Sequence, residues 1–84
     1  MTTDEIRESV LRMLTEIAPE ADPAQIRGDI DLRDQLDIDS MDLLNFVISV
    51  DHELGVDIPE SDYRRLTTLD EFVAYLAERL HVPV

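Results

Sequence analysis

Ser40 lies in the run Asp39-Ser40-Met41-Asp42, at the head of the most apolar stretch of the chain. A serine there has two readings. In the first it is an ordinary exposed residue at a helix start, with no chemistry of its own. In the second its hydroxyl is an acceptor for an attached group. Free backbone N–H groups and the helix dipole at such a start favour an anion. Asp39 is placed to cap such a helix, and Asp42 falls in its first turn, where the dipole favours negative charge. The short run alone does not choose between the readings.

Other chemistries find less support. The chain has no cysteine, which removes disulfides, thiolate metal sites and a cysteine nucleophile, so any thiol would have to be imported. His52 and His81 are far apart and belong to no His-Glu-x-x-His pattern. Asp29-x-Asp31 and Asp37-x-Asp39 have calcium-loop spacing, but the glycine is missing and the twelfth positions are Ser40 and Ile48, not glutamate. Two glycines leave no phosphate cradle. No nucleophile–base pair or metal set is visible, and an enzyme is not expected.

The elements that must position Ser40 read as helices. Ile6, Val10, Leu14 and Ile17 make one amphipathic stripe over 4–17, opened by a Thr2/Glu5 capping box and stopped by Pro19. From Ala18 to Ile38 the periodicity breaks at Pro19, Pro23 and Gly28, predicting a long ordered loop with a helical turn near Pro23. Ile26, Ile30, Leu32 and Leu36 are candidates to pin it. A second helix spans Ser40 to Leu54, with Met41, Leu44, Val47 and Ile48 on one face and Gly55 at its end. After Ile58-Pro59, a short helix is expected over Glu60 to Leu66. Thr68 with Glu71 then caps a last helix carrying Leu69, Phe72, Val73, Leu76 and Leu80. The expected fold is all-α: one small domain over 1–84, a four-helix bundle of three longer helices and one short one, with a long loop between the first two.

Charge narrows the partners. Twenty acids against seven bases give a net charge of −13, and every base is arginine. That balance excludes nucleic acid and disfavours an anionic membrane surface, and no run reaches a membrane-spanning length. Proteins with basic surfaces are the expected partners, and the cytoplasm the expected location. Between Asp29 and Asp62 there are eleven acids and one base, Arg33, so the charge surrounds Ser40. A charge run is commonly just a solvated face; here it also reads as a docking surface.

In this setting Asp39-Ser40-Met41 resembles the Asp-Ser-Leu motif of acyl and peptidyl carrier proteins. Val56-Asp57-Ile58-Pro59 is similar to that family's Ile-Pro turn, and Thr67-Thr68-Leu69 to its entry into the last helix. The resemblance covers essentially the whole chain. It implies that a phosphopantetheinyl transferase attaches 4′-phosphopantetheine, from coenzyme A with magnesium, to Ser40 beside Asp39. The arm's thiol would then carry acyl groups as thioesters among acyl-loading, condensing and acyl-transfer enzymes. Asp37, Met41, Asp42, Glu53 and Asp57 become candidates for partner recognition. Phe46, Val47, Ile48 and Leu66 become candidates for lining a shelter for the acyl chain, although plain core packing explains most of them. A monomer is the family expectation.

Two positions depart from the family's pattern. Asp37 stands where a glycine is common, and Asn45 where bacterial fatty-acid carriers usually have a glutamate. These departures point away from housekeeping fatty-acid enzymes, towards a polyketide-like, secondary-metabolite or specialised lipid pathway. Two alternatives stand beside this reading: an aminoacyl or peptidyl carrier, and an acidic interaction module or nucleic-acid mimic that would need the charge but not Ser40.

Overall fold

The computed structural model describes residues 1–82. Three long helices form the frame: α1 (Thr3–Ile17), α3 (Ser40–Leu54) and α4 (Leu69–Arg79), with a single turn, α2 (Leu32–Gln35), inside the long loop. Two 3₁₀ segments, Pro23–Gln25 and Glu60–Arg65, complete the order. Among the described residues there is no strand, only a one-residue bridge between Asp31 and Thr68. The all-α expectation holds.

Each long helix starts on a reciprocal cap. The Thr2 hydroxyl accepts from the Glu5 N–H while the Glu5 carboxylate accepts from the Thr2 N–H. Thr68 and Glu71 repeat the arrangement at α4, where Glu71 also takes the Thr67 hydroxyl. Those donors, the Thr67 hydroxyl first, hold the Glu71 carboxyl below its ordinary range. Gly55 ends α3 in the left-handed region, at φ 69°, where a side chain would be strained.

The core is one apolar cluster. Helix α1 packs against both α3 and α4, burying Ile6, Val10, Met13 and Leu14. Phe46 of α3 meets Phe72 of α4 edge to face, with ring centroids 4.9 Å apart, a geometry worth about 0.5–1.5 kcal/mol beyond the buried area.

The face of α3 turned inward corrects the sequence expectation. Phe46, Val47 and Val50 are buried, with Leu43 and Leu54 packed against the same cluster. Leu44 and Ile48, read on one face with Val47, point outward at 41% and 56% exposure, and so does Met41, the candidate partner contact, at 64%. Apolar residues occupy more than one stripe of this helix, so the period alone cannot choose the buried one. Its two neighbouring helices do.

The long loop is pinned more firmly than its irregular sequence suggests. It contains the expected turn at Pro23, begun by an Asp22 cap. It also contains α2 where the sequence predicts only loop; four residues are too few to show a helical period. Leu32 and Leu36 are buried as pins, and Ile26 packs against the core. Polar contacts add to them. The Gln35 amide donates to the carbonyls of Arg27 and Ile30, both at 2.8 Å, and accepts the Arg27 N–H at 2.6 Å. The loop also bonds to the entry of α4, Leu32 N–H to the Thr67 carbonyl and Asp70 N–H to the Gly28 carbonyl. A Cβ at Gly28 would meet the Asp70 carboxylate, which would have to turn aside. Helix α3 therefore begins at the end of a fixed approach.

Candidate functional site

Ser40 is the first residue of α3, and its position follows from the two aspartates around it. Asp39 is the N-cap, its carboxylate accepting the Asp42 N–H at 2.9 Å. Asp42 reaches back, its carboxylate accepting the Asp39 N–H at 3.1 Å. Reading Asp39 as a cap and Asp42 as a dipole partner missed that the pair forms a closed capping box, with Asp in the place usually held by Glu. Both carboxylates are spent on the backbone, and the Ser40 side chain is left out of the box. Ser40 is exposed, and its hydroxyl has no hydrogen-bond partner among the described residues.

Beside Ser40 opens a groove of about 390 Å³. Ile38, Leu43 and Leu44 form its wall on the α3 side, and Tyr63, Leu66 and Phe72 face them. Arg33 on α2 and Arg64 on the 60–65 turn also line it, with Asp31 and Glu60. At its inner end the walls close into an apolar seam between Leu43, Val47, Tyr63, Leu66 and Phe72, too narrow for a water molecule.

The turn that walls the groove is anchored to α4 by Asp62. Its carboxylate accepts the Tyr75 hydroxyl at 2.7 Å and lies 3.4 Å from Arg79 and 3.7 Å from Arg65. Arg79 in turn stacks over the Tyr75 ring, 4.7 Å from its centre. Burial, and then the bond to Asp62, push the Tyr75 hydroxyl above its ordinary pKa.

The residues singled out from sequence fall in different places. Val47 and Leu66 face each other across the seam, whereas Phe46 sits wholly in the core against Phe72. Ile48 lies on the outer face of α3, so it lines no interior space; this corrects the earlier expectation. Leu43, Tyr63 and Phe72 line the seam and were missed, because the faces they share are set by tertiary packing. Asp37 and Asp57 are exposed. Glu53 is not a free carboxylate. Arg12 of α1 grips it with two bonds, at 3.0 and 2.6 Å, and that contact holds its carboxyl below the usual range. Met41, Leu44 and Ile48 follow spacings of three and four along the exposed side of α3. Asn45, four after Met41 and three before Ile48, shares that side.

No helix among the described residues is long and apolar enough to cross a membrane, and no group of three or more acids or histidines there could hold a metal ion.

Comparison with known proteins agrees with this architecture. Residues 7–76 match the family described as "Phosphopantetheine attachment site". An acyl carrier protein of Rubrobacter xylanophilus is 28% identical over 75 residues, covering 86% of this chain and 93% of its own. One from Rickettsia typhi is 31% identical over 78 residues, covering 93% of this chain and 90% of its own; that from Rickettsia canadensis is 30% identical over the same coverage. A capped serine at the head of α3, the groove beside it and a family match across most of the chain converge, and the chain belongs to the acyl carrier proteins, whose prosthetic group is covalently bound 4′-phosphopantetheine.

Proposed function

We propose that Ser40 is the residue that carries the phosphopantetheine arm, and that the chain shuttles acyl intermediates of a polyketide-like or specialised lipid pathway. The observation that carries the attachment is the unbonded, exposed Ser40 hydroxyl, held at a rigid helix start by an Asp39–Asp42 box that leaves it out. A transferase can reach that oxygen without unfolding anything. The first-turn N–H groups of α3 not taken by the box favour the phosphodiester. When bound, the arm supplies the thiol that this cysteine-free chain lacks.

The chain's own residues then have two tasks. Leu43, Val47, Tyr63, Leu66 and Phe72 offer an apolar lining that a chain entering from the groove could part. Met41, Leu44 and Ile48 offer partners an exposed apolar stripe, with Asp37, Asp42 and Asp57 supplying negative charge around it. Transferase, condensing and acyl-transfer enzymes with basic surfaces suit that face, and charge attraction speeds their encounter. Asn45 within the stripe gives a partner a neutral amide where a housekeeping carrier offers a carboxylate, which supports a specialised pathway. We take the chain to act as a single monomeric domain in the cytoplasm, carrying groups without catalysing their reactions.

Intact mass after incubation with coenzyme A, magnesium and a broad-specificity phosphopantetheinyl transferase tests the assignment. One arm should be gained, and Ser40→Ala should gain none. A wild-type chain unmodified by several such transferases would instead favour an acidic interaction module.

A further inference from the structure

The groove beside Ser40 holds an unusual pair of charges for so acidic a chain. Five of the seven arginines are engaged with carboxylates: Arg7 with Asp70, Arg12 with Glu16 and Glu53, Arg27 with Asp29, and Arg65 and Arg79 with Asp62. The guanidinium groups of Arg33 and Arg64 have no ion-pair or hydrogen-bond partner among the described residues. Both line the groove that Ser40 lines. They come from separate elements, α2 and the 60–65 turn, and each element is fixed, by Gln35 and Asp62 respectively.

Arg33 and Arg64 are thus the two arginines left without a carboxylate among the described residues, and both lie on one groove. Asp31 and Glu60 line the same groove, but Asp31 is committed to the Arg33 N–H as the cap of α2, and neither carboxylate reaches either guanidinium. A planar guanidinium offers a fork of donors that fits the paired oxygens of a phosphate or carboxylate.

We propose that Arg33 and Arg64 form an anion receptor on the groove wall, taking the anionic oxygens of what Ser40 carries. This rests on Ser40 being the attachment residue. Two sources supply such oxygens: the phosphodiester of the arm itself, and the free carboxylate of a dicarboxylic acyl group at its tip. The apolar walls between the arginines and the closed seam hold the methylenes of either in place, and the seam's dryness leaves a charged end no deeper site than the arginines. Where the cargo carboxylate is the ligand, the receptor selects for an acyl group with an anionic end and against a plain alkyl one.

The test uses the full chain loaded by a phosphopantetheinyl transferase from coenzyme A, pentanoyl-coenzyme A or glutaryl-coenzyme A, with loading checked by intact mass. The readout is the Nε–Hε resonances of Arg33 and Arg64 in nitrogen-15 spectra at low salt, together with the phosphorus-31 shift of the arm. Movement of both arginine resonances on attachment of the bare arm, unchanged by either cargo, assigns the phosphodiester. Movement only in the glutaryl form assigns the cargo carboxylate. Either supports the receptor. Either response should be lost at high salt, and any accompanying change in the phosphorus-31 shift should be lost in the Arg33→Gln/Arg64→Gln variant. Full loading with both resonances still, or a response to pentanoyl alone, overturns it. Absence of loading is a different result, visible in the mass before any spectrum, and overturns the attachment reading together with the receptor. The unsubstituted chain carries the comparison by itself, so the outcome does not depend on the variant folding.

Discussion

Asp39 and Asp42 each accept the other's backbone N–H across the first turn of α3, at 2.9 and 3.1 Å, with Ser40 between them and outside the exchange. Each carboxylate has a structural task before any role in recognition. Asp39→Ala should therefore cost about 1 kcal/mol of stability, the usual loss for an N-cap. The arm should also be acquired more slowly as the first turn frays. Urea unfolding and a time course of mass gain would check both effects. Asp39→Asn keeps the cap and should recover most of the stability; if it recovers no modification rate either, the charge itself is recognised.

The Gln35 side chain makes three hydrogen bonds to the backbone of the loop before Ser40. Gln35→Ala should remove these three bonds, of which only the one to the Ile30 carbonyl is partly buried, and cost about 1 kcal/mol. Amide exchange should quicken most at Arg27 and in the loop that follows it. An unchanged exchange pattern would show that the buried Leu32 and Leu36 hold the loop unaided.

The two faces of α3 predict opposite responses. Phe46 is fully buried, and Phe46→Ala should cost about 3–5 kcal/mol, enough to unfold much of a domain this small. Ile48 is 56% exposed, and Ile48→Ser should change stability by no more than about 0.5 kcal/mol. If the exposed stripe docks partners, that substitution should slow transfer to a partner enzyme while the melting curve stays put. A large loss of stability in Ile48→Ser would contradict the orientation of the helix.

How far these features could be read from the sequence depended on their range. The starts of α1, α3 and α4 are set by residues three apart in the chain, and the stops at Pro19 and Gly55 are equally local, so all were legible. Ser40 as the candidate acceptor was legible too, through the turns that follow it. The buried face of α3 was not, because Met41, Leu44 and Ile48 are as apolar as Phe46 and Val47; contact with Phe72, distant in sequence, singles out the inner set. Gln35 gave no signal, since a polar residue in a loop does not announce that it will bind three backbone groups. The free state of Arg33 and Arg64 is visible only once the partners of the other arginines are known.

Arg12 depresses the Glu53 carboxyl below its usual pKa through their paired hydrogen bonds between α1 and α3. A carboxylate favoured by folding adds stability above its unfolded pKa, about 4.3. That contribution is lost as pH falls through the lower folded value. The pair lies at the surface, so salt should weaken it. Wild type should therefore exceed Glu53→Gln in stability at neutral pH, and the gap should close as pH drops below that of a free glutamate. Chemical unfolding of both proteins along a pH series would show it. Protonating the many other acids relieves repulsion in both alike, so only the difference between the two curves is diagnostic. A gap that widens on acidification would reverse the sign of the coupling.

Tandem mass spectrometry can locate the arm on the chain directly, down to the oxygen of one serine. After treatment with coenzyme A, magnesium and transferase, a single phosphopantetheine is expected on the peptide containing Ser40, with Ser9, Ser49 and Ser61 unmodified. An arm found on any other residue, or a fully folded chain that acquires none, would contradict the assignment of Ser40.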